Sequence, residues 1–271
     1  MSDSVGLYDN TYMHFATGVL SEVRAETFGE DIGQNSWLTA DEYRKFFEWL
    51  RLSPSSNVLD VGSGSGGPAL FLARTVGCSV VGIDENENGI GNSKRMAKEQ
   101  GLDVRVAFHH ADAGRLLPFE DRSFDAIISI DAINHLPDRL GVLREWHRLL
   151  KPVGRLLFTD PITVTGMITR DEIAIRSKIG HFVFTPRGED ERLIQEAGFE
   201  LLRCEDLTEN ATRVSKRWND ARERRRDDLI RIEGEEGFDQ VQEFLAIAHR
   251  LSSERRLSRF ALLARKRTNQ G

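Results

Sequence analysis

The 271-residue chain is 39% hydrophobic and 30% charged, with a formal net charge of −6, which fits one large globular domain with a sizeable core. The acidic balance argues against a nucleic-acid binder, which needs a basic face. No apolar run approaches the roughly 18–20 residues that span a bilayer, and "MSDSVGLYDN" lacks the basic-then-apolar layout of a signal peptide.

Two cysteines, Cys78 and Cys204, stand in separate segments. They suggest reduced thiols in a cytoplasmic protein rather than a disulfide framework, and their spacing offers no zinc site. Residues 5–27 have helical spacing with weak punctuation. "TADEYRKFFEWLRL" (39–52) is a better helix: Thr39 can cap it, Glu42 stands three positions on as a capping box wants, and Tyr43, Phe46, Phe47 and Leu50 share a face. Pro54 stops it. From there strands and helices alternate. "NVLDV" (57–61) reads as a buried strand, and "PALFLARTV" (68–76) as a helix with proline in its first turn. "SVVGID" (79–84) is a strand and "GIGNSKRMAKEQG" (89–101) a helix closed by glycine. "DVRVAFHH" (103–110) and "FDAIISI" (124–130) are strands. "RLGVLREWHRLL" (139–150) is a helix, "GRLLFTD" (154–160) a strand, "GEDERLIQEAG" (188–198) a helix and "FELLRCEDL" (199–207) a strand. An amphipathic helical stretch follows over 208–258. Its basic run "ARERRRDDLIR" is interrupted by acids and reads as a solvated helix face. "RFALLARKR" (259–267) is the last strand.

This alternation predicts an α/β fold, a doubly wound, Rossmann-like sheet with helices on both faces. Residues 51–207 and 259–268 form its core, 1–50 an N-terminal helical lid, and 208–258 a helical cap inserted before the last strand. Ligands bind beyond the C-terminal strand ends of such sheets. The loops after Val61, Ile83, His110, Ile130 and Asp160 are therefore the place to search.

The first of them, "GSGSGG" (62–67), fits the dinucleotide fingerprint G-x-G-x-x-G. Glycine admits positive φ and close ligand approach, and the next helix offers free N–H groups. Asp84, ending the second strand, suits a ribose diol in NAD and S-adenosylmethionine alike. Asp60 separates the two. A carboxylate two residues before the first glycine would repel a pyrophosphate, but it attracts a sulfonium and an α-ammonium.

Here "VLDVGSGSGG" and "VVGID" resemble the first two motifs of class I S-adenosylmethionine-dependent methyltransferases. "HADAGRLLPFEDRSFDAIIS" resembles the third, "SIDAINHLPD" the loop after strand four, and "HRLLKPVGRLLFTDP" the turn into strand five, with Val153 in place of a glycine. The resemblance spans about residues 56–161. It implies a seven-stranded sheet with an antiparallel last strand, and S-adenosyl-L-methionine as cofactor. Gly62, Gly64, Gly66 and Asp60 would cradle its methionine side, Asp84 and Glu85 its ribose, and Ala111, Asp112, Ala113 and Ile130 its adenine end. No metal is implied.

Within that family the chain resembles small-amine N-methyltransferases, the phosphoethanolamine and glycine/sarcosine/dimethylglycine groups. "FGEDIGQNSWL" looks like their lead-in, which implies that Ser36 touches the cofactor carboxylate. "DAINHL" implies active-site roles for Asp131 and His135, with His135 as general base. A histidine near neutral pKa suits removal of a proton from the acceptor. A tyrosine pairs with that histidine in the phosphoethanolamine group, and Tyr12 and Tyr8 are the candidates here. Pro161, Ile179 and His181 stand where that group holds its phosphate, which speaks against a phosphobase. Arg176, Lys178 and Arg187 read as surface charges, and Trp37, Phe182, Phe184 and Trp218 as core or as walls around the acceptor. The expectation is a small-molecule acceptor, foremost an amine nitrogen, with a hydroxyl or activated carbon of a natural-product or quinone-like compound close behind. An NAD-dependent oxidoreductase and a silent cofactor-binding protein are the rivals. A homodimer is compatible with the sequence, which leaves the oligomeric state open, and neither nucleic acid nor membrane is an expected partner.

Overall fold

A computed structural model describes residues 11–15 and 17–267. Tyr8 and the first part of the expected lid lie outside the described residues. A mainly parallel sheet runs through the molecule in the order β3-β2-β1-β4-β5-β8-β7. Its strands are β1 (Asn57–Val61), β2 (Ser79–Asp84), β3 (Val106–His110), β4 (Phe124–Ser129), β5 (Leu150–Val164), β7 (Phe199–Asp206) and β8 (Leu257–Lys266). β8 is antiparallel to both neighbours, β5 and β7. A two-residue strand, β6 (Thr185–Pro186), pairs with the end of β5.

Alternate residues of the central strands face opposite layers. Val58 and Ile128 enter one core with Tyr43, Phe46, Leu70 and Ile90. Leu59 and Ile127 enter the other with Leu143, Trp146, Phe158 and Ile194. The first layer is built by α2 (Ala40–Leu50), α3 (Gly67–Val76) and α4 (Glu87–Glu99), the second by α5 (Arg139–Leu149) and α7 (Glu189–Glu196). This is the crossover pattern that puts helices on both faces of a parallel sheet.

Several boundaries differ from the sequence expectation, each for a local reason. β3 begins at Val106, because Gly101 (φ +66°) and residues 102–105 are used in a turn. β4 ends at Ser129, because Asp131 turns the chain into the left-handed region (φ +52°). β5 runs on past Asp160. A register shift there lets Thr163 and Val164 keep pairing with Ser258 and Leu257. Thr39 does cap α2, accepting from the Glu42 amide. The Glu42 carboxylate, however, goes to Arg259 rather than to the cap.

Beyond the sheet's ligand edge stand α1 (Gly18–Phe28), α6 (Arg170–Arg176), α8 (Thr208–Glu223) and α9 (Arg226–Ser253). α6 was not expected from sequence. Its Thr169 and Glu172 form a capping box. α9 is broken at Gly234 (φ 76°, ψ 161°). Phe28 of α1, Trp37, Val214 of α8, and Phe244 and Leu245 of α9 form a separate core over the edge. Among the described residues no helix is long and apolar enough to cross a membrane.

Candidate active site

The glycine loop is drawn tightly around the ends of β1 and β2. The Gly62 and Ser63 amides both donate to the Ile83 carbonyl, at 2.9 and 3.0 Å. Gly62 and Gly66 have φ of 77° and 80°. A Cβ on Gly62 would stand 2.4 Å from that of Ala132, and one on Gly66 would stand 2.5 Å from Ser93 Cβ. Only glycine fits at either place.

Asp84 accepts from the Gly64 amide with one oxygen and from the Asn86 amide with the other, at 2.8 and 2.9 Å. It therefore fixes the loop. Asp60 is buried, and its Oδ2 has no hydrogen-bond partner among the described residues. Burial, and then the charge of Asp84, push the Asp60 carboxyl up to about 7. A buried carboxyl with an unmatched oxygen among the described residues, beside a glycine cradle, fits the sulfonium and ammonium of S-adenosylmethionine. Ser63 Oγ and Ser129 Oγ are likewise buried without partners. The donor set thus suits the cofactor.

The remaining residues named from the sequence lie at or near the strand ends. Ala111 donates its amide to the Asp84 carbonyl, and His110 Nε2 lies 2.9 Å from the Glu85 carbonyl. Asp112 caps its own turn through the Gly114 amide and pairs with Arg115. Ala113 is partly buried in the α5-side core, and Ile130 packs against the opposite one. Tyr12 is buried against the loop: a Cβ on Gly64 would come 2.7 Å from its hydroxyl. Its carbonyl accepts from Asn92 Nδ2.

Asp131 is held from three sides. Oδ1 accepts from Thr159 Oγ1 at 2.7 Å and from Arg259 Nε at 2.8 Å, and Oδ2 from the Trp37 amide at 2.9 Å. Arg259, fully buried on β8, spends its other contacts on both oxygens of Glu42. The sequence reading missed Arg259 and Glu42. The available signal was an arginine opening the apolar run "RFALLA".

His135 follows on a 3₁₀ turn (Ile133–His135). Its Nδ1 lies 2.7 Å from the His181 carbonyl. A carbonyl only accepts, so Nδ1 carries the proton and the Nε2 lone pair meets Asn134 Nδ2 at 3.3 Å. Burial lowers the pKa of the ring, which favours the neutral base. The ring packs on Phe182, centroids 4.7 Å apart.

Between this turn and the helices beyond the edge lies a cavity that opens to solvent. Ser36, Trp37, Asp131, Asn134 and Phe182 line one side, and Phe15, Leu20, Val23, Trp218 and Phe244 another. The aromatic wall is continuous: Trp37 meets Trp218 at 5.9 Å and Phe244 at 6.1 Å, and Phe182 meets Phe244 at 6.4 Å. Phe184 packs elsewhere, with Ile162 and Leu251.

Arg176 corrects the surface-charge expectation. It is buried on the cavity wall, its guanidinium 4.6 Å from the Phe182 ring and 4.3 Å from Phe244. Lys178 pairs with Glu243 and Arg187 with Glu191 at the surface. Among the described residues no His/Cys/Asp/Glu cluster could hold a metal.

A sequence profile described as a methyltransferase domain matches residues 52–198. The 27-O-demethylrifamycin SV methyltransferase of Amycolatopsis mediterranei is 34% identical over 178 residues, 65% of this chain and 64% of its own length. The sarcosine/dimethylglycine N-methyltransferase of Halorhodospira halochloris is 41% identical over 112 residues, 41% of this chain and 40% of its own. Phosphoethanolamine N-methyltransferase 2 of Haemonchus contortus, solved with phosphomonomethylethanolamine and S-adenosylhomocysteine, aligns at TM-score 0.81 and 19% identity. That alignment covers 99% of this chain and 62% of the other, and it bears on the fold. The chain spans about two fifths to two thirds of the length of the curated relatives it matches.

Proposed function

Because the chain belongs to the methyltransferase-domain family, whose members use S-adenosylmethionine, we propose that it methylates a largely apolar small molecule, with His135 as general base. The observation that carries this reading is the cavity beside the turn after β4. Its aromatic and aliphatic side chains stand among polar ones, and the carboxylate that borders it, Asp131, is already paired with Arg259. An apolar skeleton finds there the aromatic surface it can bury. The sequence likeness to amine methyltransferases supports the amine reading as the second one.

The cofactor, when bound, supplies an electrophilic methyl on a sulfonium. The residues of this chain do the rest. Asp60 and the glycine loop hold the cation, the aromatic wall places the acceptor and excludes water, and neutral His135 takes the acceptor's proton. Asp131 acts as a positioning residue: it ties Trp37 to the turn that carries His135.

The test is release of S-adenosylhomocysteine with two acceptor sets. One contains sarcosine, dimethylglycine and phosphoethanolamine; the other contains hydroxylated polyketides, sterols and naphthoquinols. Turnover is expected with the second set, and turnover confined to the first would overturn the apolar reading. Replacing His135 with glutamine is expected to slow turnover about 10²–10⁴-fold while affinity for S-adenosylhomocysteine stays unchanged. Unaltered turnover would remove the base assignment. Titration with NADH should give no heat.

A further inference from the structure

We propose that Arg139, at the start of α5, is a positioning residue for His135, and that it acts through the strap of residues 177–184 whose His181 carbonyl meets that imidazole. Its bearing on catalysis rests on the reading of His135 as general base. The strap joins α6 to β6 and meets the turn after β4 at two places. The His181 carbonyl faces His135 Nδ1 at 2.7 Å, and the Val183 amide donates to the Asn134 carbonyl at 2.8 Å. The guanidinium holds the other side of Val183. Arg139 Nη2 donates to the Val183 carbonyl at 2.9 Å, which the Thr185 hydroxyl approaches only to 3.4 Å. Arg139 Nη1 is gripped in turn by Asp160 Oδ2 at 2.6 Å and Asp190 Oδ1 at 2.7 Å, and all three side chains are buried. Asp160 lies in β5, where its second oxygen accepts from the Ile162 amide at 3.0 Å. Asp190 lies in the first turn of α7.

Taking two carboxylates and a guanidinium out of water is expensive, and an apolar trio of the same volume would join the three elements at least as firmly. An apolar trio cannot aim a donor. The planar fork, fixed at Nη1 by acids from β5 and α7, presents Nη2 in one direction. The carbonyl it reaches belongs to the residue two beyond His181. The seat of the strap along the turn decides which ring nitrogen meets a carbonyl, and with it which nitrogen carries the proton. Without the guanidinium the His181 carbonyl can drift from Nδ1, and the imidazole loses the contact that sets its tautomer.

The test reads that tautomer by NMR of the full chain, labelled with heavy nitrogen in histidine and arginine, at about pH 8, where histidine is neutral. The His135 signal is identified by its loss in His135→Gln. In the wild type its proton is expected on Nδ1, and the Arg139 Nη protons should be resolved, because contacts on both nitrogens block rotation about their bonds to Cζ. A proton on Nε2, or Nη protons averaged by rotation, would overturn the inference without recourse to a variant. Arg139→Lys keeps the charge but offers one ammonium to three acceptors. Arg139→Met with Asp160→Asn and Asp190→Asn removes the cluster without stranding a buried charge. In either folded variant the Nε2-protonated form is expected to rise about tenfold, the scale of one lost hydrogen bond. Should neither fold, the wild-type signals decide. A role in stability alone would lower the melting temperature and leave the tautomer as it was. That outcome would overturn this inference while the base reading stood. Unaltered turnover in His135→Gln would instead overturn the base reading and the catalytic meaning of the cluster with it.

Discussion

Asp60 sits at the end of β1 with one oxygen unmatched, and its carboxyl is raised to about 7 by burial and by Asp84. Its folded-state pKa lies above the unfolded value of about 4, so the group weakens the ligand-free fold as pH climbs from about 4 to about 7. Asp60→Asn is therefore expected to raise the melting temperature of the ligand-free protein at pH 8 and to change it little at pH 4. A cationic cofactor favours the carboxylate. Its affinity should fall as pH drops below about 7, by up to about tenfold per unit, with a proton released on binding. Calorimetry in buffers of differing ionisation enthalpy reads that proton, and an affinity flat between pH 5.5 and 8 would contradict the assignment. Val153 offers a second single-residue test. It is exposed and β-branched, yet it adopts φ +59°. Such a conformation costs about 1–3 kcal/mol, so Val153→Gly is expected to stabilise the fold by about 1 kcal/mol in urea melts, net of the added chain freedom.

Among the elements, the loop after β4 is the one most constrained by others. Asp131, with φ +52°, is joined through Arg259 to β8, through Glu42 to α2 and through Thr159 to β5. Arg259→Met would leave two buried carboxylates without their cation. Urea unfolding is expected to show a loss of about 3–5 kcal/mol, with Glu42→Gln added to the variant recovering part of it. The legibility of each element follows from the same physics. β1, β2 and β4 and their helices announce themselves by apolar runs set between glycines and prolines. α6 and β6 do not, since they are seven and two residues long, too short for a period to appear. The glycine loop, Asp60 and His135 could be named because their chemistry is local to a motif. Arg139 and Arg259 could not. What singles them out is a contact 44 residues away in one case and 128 residues away in the other, and neither is a property of neighbouring letters.

At the scale of the molecule, the sheet and its two layers form a rigid base, and α1, α8 and α9 roof the cavity. The roof is clasped by ion pairs from Glu22 and Glu26 of α1 to Arg225, and from Glu26 to Arg224, at the end of α8. These pairs are partly exposed, so each contributes less than about 1 kcal/mol and weakens with salt. Closure over ligands is expected to slow hydrogen exchange in α1, α8 and α9 when S-adenosylhomocysteine and an acceptor are both bound. The sheet should be nearly unchanged, and equal protection with and without ligands would exclude a moving roof. The position of β8 also sets an order of events in time. β1 to β3 can associate through short βαβ units. Pairing β5 with β8 has to close a loop of 93 to 110 residues, an entropic cost that places it after those units. The cofactor half can then exist before the acceptor half, and the Asp131–Arg259 link arrives with the last strand to dock. Loss of that link should leave the refolding arm of a chevron almost in place and steepen the loss of kinetic stability, with unfolding faster by most of the destabilisation. The final strand to pair thus governs how long the finished site lasts more than how fast the chain reaches it.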